Sequence, residues 1–159
     1  MKEEKEAIFC NTEQLLLCAE ALHDELLKPG EHEYVWANAF LTTAPFFKIY
    51  GMYAKNYMAA LETTRRCRHL RDGFAEFLSS AHARSESKGL LLEDFLIKPV
   101  QRLLKYPLFF ERLRHSYSSL EEDPASAAAD EAPSPTKLLD CLQFLKGTAA
   151  KVLARFRES

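Results

Sequence analysis

LLEDFLIKPVQRLLKYPLFFERL, residues 91–113, is the stretch that decides how this chain folds. Its large apolar residues recur at alternating steps of four and three, the spacing of one face of a long amphipathic helix. Pro99 and Pro107 fall inside this pattern, where each removes a backbone hydrogen bond and bends or breaks a helix. Continued downstream, the pattern predicts one helix with this buried seam: Leu92, Leu96, Pro99, Leu103, Tyr106, Phe110, Leu113 and Tyr117.

A second face of the same helix is basic. Its cations also follow a helical spacing, about a third of a turn from the apolar seam at roughly 100° per residue. Two interpretations follow: a solvated face in front of a proline-bent core, or a docking face for an acidic partner. The residues of this basic stripe are Lys98, Arg102, Lys105 and Arg112, with Gln101 beside them.

The C-terminal segment repeats the apolar pattern and predicts a second long helix. It should pack along the first at a shallow angle, as in helical bundles. Between the two lies EEDPASAAADEAPSPT, residues 121–136, which has almost nothing to bury and is expected to be a flexible Ala/Pro/acidic loop. The predicted seam of the last helix consists of Leu138, Leu142, Leu145, Ala149, Val152 and Phe156.

Upstream of the deciding stretch the sequence also predicts helices. The first is expected over residues 11–27, opened by Asn11 and Gln14 as a capping pair and ended by Pro29 and Gly30. Its inward residues are predicted to be Leu15, Cys18, Leu22 and Leu26.

Two further helical stretches complete the pattern. Residues 33–66 form one, interrupted at Pro45, and residues 70–83 form the other, with Phe74, Phe77, Leu78 and Ala81 on one side. No segment alternates as a strand would, so the predicted fold class is all-α. The longer stretch is expected to direct these residues inward: Phe46, Ile49, Tyr50, Tyr53, Tyr57, Ala60 and Leu61.

Composition narrows the function. The 159 residues carry a net charge of -2, which disfavours bulk binding of nucleic acid or anionic membranes. No glycine-rich phosphate loop, nucleophile elbow or metal-ligand spacing of the histidines is present, so neither catalytic residues nor a cofactor or metal are expected. The four cysteines predict reduced, core-packing thiols, and the lack of a signal peptide or long apolar run predicts a cytoplasmic protein.

One known family shares these features in detail. EDFLIKPVQRLLKYPL, residues 93–108, resembles the third signature region of the Dbl-homology domain of Rho-family guanine-nucleotide exchange factors. Ile8, Phe9 and Asn11 are similar to an upstream segment of that family. APFFKIY, residues 44–50, together with Tyr53 and Asn56, resembles its middle region.

The resemblance implies an elongated helical bundle that engages the switch regions of a Rho-family small GTPase. Binding would displace Mg²⁺ from the GTPase and loosen GDP, without making or breaking a bond. Lys105 matches a lysine that faces switch II in the family, and Gln101 matches a nearby contact position. Lys98 and Arg102 are expected to complete the GTPase-binding face, and membrane proximity would come from other domains of a longer protein.

The sequence departs from the family pattern in two places. The family's opening helix, which carries a glutamate aimed at switch I, has no counterpart, so residues 1–159 are expected to form one N-terminally incomplete domain. Active members often place an asparagine near the C-terminus, where residues 152–155 here read VLAR. An exchange-inactive scaffold and a plain helical interaction module therefore remain as alternatives to an exchange factor.

Overall fold

The computed structural model describes residues 2–29, 32–121 and 135–158. Within these ranges the chain is helical without strands, which confirms the all-α prediction, and no helix there is both long and apolar enough to cross a bilayer. Short 3-10 helices span Ala44–Lys48 and Ser85–Ser87. The α-helices of the described residues are α1 (Lys2–Phe9), α2 (Thr12–Leu26), α3 (His32–Thr43), α4 (Ile49–Leu70), α5 (Phe74–His82), α6 (Leu92–Leu96), α7 (Lys98–Glu121) and α8 (Pro135–Arg157).

The core lies where α7 and α8 pack along each other and against α3 and α4. Phe40 is its aromatic centre, with ring centroids 4.8 Å from Tyr106 and 5.0 Å from Phe110. Both contacts are edge-to-face, the arrangement that aromatic quadrupoles favour. Each large side chain buried here stabilises the folded state by roughly 1.5–3 kcal/mol, because its apolar surface is removed from water. This cluster therefore anchors α7 against the bundle.

Helix α7 differs from the predicted single helix in where it begins. The helix is interrupted after α6, and Pro99 is the second residue of α7. A proline in the first turn loses no helical hydrogen bond, so this one starts the helix and does not bend it. Pro107 does lie inside α7, and it is buried.

The buried side of α7 is also rotated from the predicted seam. Val100 and Pro107, which the seam left out, are buried together with Leu103 and Phe110. Three seam residues, Pro99, Tyr106 and Leu113, are only half-buried, and the side chain of Tyr117 falls outside the described part. Leu96 is buried four residues before Val100, so the observed buried side shares Leu96, Leu103 and Phe110 with the predicted seam and differs from it at the alternate positions.

Helix α8 follows its prediction closely. Leu138, Leu142, Leu145, Ala149 and Val152 are all buried. Phe156 is half-buried and stacks on Tyr57 with ring centroids 5.2 Å apart. The loop predicted over residues 121–136 lies almost wholly outside the described residues.

The cysteines are free thiols, and three of them pack into the interior as predicted. Cys18, Cys67 and Cys141 are buried, whereas Cys10 is half-buried. Burial raises the pKa of the Cys141 thiol to about 12, so this group stays protonated and unreactive at neutral pH.

The N-terminal region contains a helix, α1, that the sequence did not predict. The capping pair predicted for α2 is wrong. Asn11 makes no side-chain cap on α2. Its Nδ2 instead donates a hydrogen bond to the carbonyl oxygen of Ile49, 3.1 Å away. The side chain therefore joins the start of α2 to the start of α4. The inward residues of α2 are as expected, with Leu15, Cys18 and Leu22 buried and Leu26 half-buried.

The stretch around Pro45 divides as its proline predicts, with a 3-10 helix between α3 and α4. Phe46, expected to point inward, is 56% exposed, and its neighbour Phe47 is 1% exposed. The tighter 3-10 turn shifts the inward position by one residue. Of the remaining predicted inward residues, Tyr50, Tyr53 and Ala60 are buried and Ile49, Tyr57 and Leu61 are half-buried.

Helix α4 runs four residues beyond its predicted end, and α5 begins later than expected. Gly73 precedes α5 with a φ of 74°, a left-handed conformation that glycine adopts without strain. The apolar side predicted for α5 is not buried: Phe77 is 65% exposed, and Phe74, Leu78 and Ala81 are half-buried.

Candidate functional site

The four predicted GTPase-binding residues lie on the outward side of α7. Burial of Val100 and Leu103 on the opposite side fixes the rotation of the helix about its axis. At about 100° per residue, this rotation directs the basic stripe away from the core. Lys98, Gln101, Arg102 and Lys105 are all exposed.

Lys98 is the first residue of α7 and turns back over α6. Its Nζ lies 4.4 Å from the centroid of the Phe95 ring. A cation over an aromatic face gains about 0.5–1 kcal/mol at an exposed site. The ammonium group is therefore held at the N-terminal end of the stripe.

Arg102 is restrained by a partner on its own helix. Its Nε donates a hydrogen bond to the hydroxyl oxygen of Tyr106, 2.9 Å away, and this bond raises the pKa of the guanidinium. The Tyr106 ring in turn stacks on Phe47, with centroids 6.0 Å apart. Arg102 is thus tied to the aromatic core, although the residue is exposed.

Gln101 and Lys105 lie on the exposed side of α7. The same side includes an apolar residue that the sequence analysis did not place there. Leu108, 55% exposed, follows Lys105 at the next helical step, and exposed Arg112 follows Leu108. The apolar pattern assigned no role to Leu108. Its spacing of three and four from the two basic residues was the signal that could have placed it on this face.

Two polar side chains of α4, from the segment that resembles the family's middle region, join neighbouring parts of the bundle, and one of them holds the chain just before the candidate face. The Tyr53 hydroxyl donates to the carbonyl oxygen of Leu96, 2.7 Å away, just before α7 begins. Burial raises the pKa of Tyr53 to about 12, which keeps the donor proton in place. Asn56 donates through Nδ2 to the carbonyl oxygen of Ala7 at 2.8 Å. Sequence reasoning singled out Tyr53 and Asn56 but assigned them no such role.

An ion pair fixes α7 against α8 further along. Lys146 Nζ lies 2.7 Å from Glu111 Oε1, and both side chains are partly exposed. An exposed pair of this kind contributes about 1 kcal/mol or less. The main consequence is that Lys146 of α8 neutralises the negative charge of Glu111 close to the basic stripe.

Comparison with known proteins identifies the arrangement. Residues 1–137 match the RhoGEF domain. The chain belongs to the RhoGEF domain family. Among relatives of this RhoGEF chain, the myosin-M heavy chain of Dictyostelium discoideum is 30% identical over 120 residues, which cover 75% of the chain and 7% of that protein. The bovine proto-oncogene vav is 28% identical over 133 residues, covering 80% of the chain and 16% of that protein.

A solved structure supports the same fold for this RhoGEF domain. The apo structure of an activated truncation of Vav1 superposes with a TM-score of 0.80 at 23% identity, covering 99% of this chain and 38% of that one. At this level of identity the likeness concerns the fold alone. The chain spans less than a fifth of the length of the two relatives above.

Proposed function

We propose that this domain binds a Rho-family small GTPase and promotes release of its GDP. The observation that carries the proposal is the exposed basic stripe of α7, of which Lys98, Arg102 and Lys105 lie in the stretch that resembles the family's third signature region. The family match over residues 1–137 supports the proposal. The domain acts as a regulator of the GTPase, and its own residues break no bond.

The mechanism is differential binding. A partner that binds the nucleotide-free GTPase more tightly than the GDP-bound form must weaken GDP affinity by the same factor. A stiff helix is suited to this task, because its side chains keep their spacing while the GTPase changes shape. The anchoring of α7 through Leu103 and Phe110, both 0% exposed, supplies that stiffness.

The proposed roles of the four residues differ with their local contacts. Lys105 and Gln101 are exposed and would contact the GTPase directly. Arg102, bonded to Tyr106, would present a restrained charge to an acidic group. Lys98, stacked over Phe95, lies at the end of the stripe and is expected to contribute least.

The test is charge reversal at Lys105. Lys105→Glu should leave helicity intact and weaken association with the GTPase by about 1–3 kcal/mol, the cost of replacing a desolvated attraction by a repulsion. Lys55→Glu, on exposed α4 surface, is the matched control and should bind as the parent does. Association with nucleotide-free members of the Rho family and release of a fluorescent GDP analogue are the two measurements. Equal binding by both variants would contradict the proposed role of the stripe.

An exchange-inactive scaffold is the second candidate, favoured by one observation. Residues 152–155 place Ala154 and Arg155 on the exposed side of α8, without the asparagine that active members often have there. A scaffold would bind the nucleotide-free GTPase, with loss on Lys105→Glu, yet leave the GDP release rate unchanged. The release assay therefore separates the two candidates, while absence of binding would favour a plain helical interaction module.

A further inference from the structure

A large cavity lies between α1 and α5, and its wall includes Phe95, the ring that Lys98 of the basic stripe covers. Both helices pack against α4, and the space between them holds about 1190 Å³. Helix α5 has no buried residue at all, and Phe77 on its cavity side is 65% exposed. Ligand pockets for small molecules typically enclose about 300–1,000 Å³, so the space is large enough for one.

The wall of the cavity is apolar, and its polar groups already have partners. Ser87 Oγ donates to the carbonyl oxygens of His82 and Arg84, at 2.6 and 2.7 Å. Ser79 Oγ donates to the carbonyl oxygen of Ala75 at 3.0 Å. A polar ligand body would find few free hydrogen-bonding groups there, whereas an apolar body would lose little by leaving water. The large apolar lining residues are Ile8, Phe9, Phe74, Phe77, Leu78, Leu90, Leu91, Leu92 and Phe95.

The cationic side chains at the cavity are mostly paired. Arg68 Nη2 lies 3.0 Å from Glu93 Oε1, and Lys2 Nζ lies 4.0 Å from Glu6 Oε1, so of the four cations that line the cavity Lys5 and Arg71 remain to meet an acidic ligand. Arg71 is paired with Glu4, through Nε at 2.9 Å and through Nη2. A guanidinium has five N–H donors, so this pairing leaves donors for a further anion. The four cations are Lys2, Lys5, Arg68 and Arg71.

We propose that this cavity binds a small amphipathic anion, with an apolar chain or ring body and one acidic end. The body would lie against Phe77, Leu78 and Phe95, and the acidic group would face Lys5 of α1 and Arg71 at the C-terminal end of α4. The inference does not rest on the proposed GTPase binding, because none of the four residues assigned to that function lines the cavity, and the two surfaces meet at Phe95, which contacts Lys98.

A titration with a long-chain carboxylate tests the proposal. Dodecanoate should displace 1-anilinonaphthalene-8-sulfonate from the protein with one-to-one saturation below the concentration at which it forms micelles. Dodecanol, which has the same chain without the charge, should compete at least about fivefold less well, since it lacks the charge-assisted contacts. Displacement that does not saturate, or equal competition by the alcohol, would overturn the proposal.

Matched variants locate the site. Phe77→Ser should weaken dodecanoate binding about tenfold, the equivalent of roughly 1.4 kcal/mol of lost apolar contact. Phe46→Ser removes a ring that is 56% exposed outside the cavity, and should change binding by less than about twofold. Both residues are exposed, so both variants should keep the parent's circular dichroism spectrum. Equal weakening by the two would show non-specific binding and overturn the assignment.

The charge is tested in the same way. Lys5→Gln should reduce the preference for dodecanoate over dodecanol, and Lys55→Gln, an exposed lysine elsewhere on the bundle, should leave the preference unchanged. An unchanged preference in Lys5→Gln and in a second variant, Arg71→Gln, would show that the acidic end is not recognised here.

Discussion

Helices α5 and α7 both carry a periodic apolar face, and they differ in what covers it. On α7, Leu103 and Phe110 are 0% exposed, because α8, α4 and the aromatic side chains of α3 lie against them. On α5, Phe77 is 65% exposed, and α4 is the main packing partner of α5 among the described residues. The same periodic spacing of apolar residues therefore occurs on a buried helix face and on an exposed one.

The difference shows what periodicity encodes. Apolar spacing of three and four is a property of one segment, and it specifies a helix with an apolar side. Whether another element covers that side depends on residues distant in the sequence. On α7 the covering residues Phe40 and Leu145 come from helices on either side of it in the chain, whereas the face of α5 lines the cavity described above.

The strongest test of this comparison is a charge in the α7 core. Leu103→Asp places a carboxylate where the side chain is 0% exposed, and should lower the free energy of unfolding by about 4 kcal/mol or more. Urea unfolding followed by circular dichroism measures the loss. Leu103→Met, which nearly conserves volume, should cost less than about 1.5 kcal/mol and serves as the control. An unchanged midpoint in Leu103→Asp would contradict the buried position of α7.

A smaller loss of stability is expected when the hydrogen bond between α4 and the chain just before α7 is removed. Tyr53→Phe removes the hydroxyl donor to the carbonyl oxygen of Leu96 and should cost about 1–2 kcal/mol at pH 7. Leu16→Ala, at a position 57% exposed on α2, should cost much less and controls for changes outside such contacts.

The same tyrosine predicts a pH dependence. Its pKa is raised to about 12 in the folded state, against an ordinary value of about 10. Above about pH 10 the unfolded chain therefore loses a proton that the folded protein retains, and stability falls as pH rises. Tyr53→Phe removes this contribution, so its alkaline decline should be shallower than the parent's. Parallel declines from pH 9 to 11 would contradict the raised pKa.

Much of the fold could be predicted from sequence because its main helices are locally consistent. The seam of α8 was correct, since no proline or glycine interrupts its register before Gly147. The predicted seam of α7 was wrong in rotation, because spacing alone does not choose between the neighbours Pro99 and Val100 or between Tyr106 and Pro107. The bond from Tyr53 to the carbonyl oxygen of Leu96, at the break before α7, joins residues 43 apart and is invisible to helical spacing.

The candidate site was predictable in position but not in detail. Lys98, Gln101, Arg102 and Lys105 are polar residues at helical spacing, so their common exposed face follows from the helix itself. The bond from Arg102 to Tyr106 joins positions four apart, a spacing that permits a contact without specifying its geometry. Their role in binding a GTPase stays a prediction, because the partner's surface is not encoded in this chain.

The smallest effect is expected on α5, and it completes the comparison. Phe77→Asp should change the free energy of unfolding by less than about 0.5 kcal/mol, as for most exposed positions. The carboxylate would stay hydrated, and its place in the first half of α5 suits the positive end of the helix dipole. Urea unfolding of Phe77→Asp and of Leu103→Asp, each at several protein concentrations, gives the measurement. If the two aspartates cost the same, then the apolar side of α5 is covered in solution, and a concentration-dependent midpoint would identify a second copy of the chain as the cover.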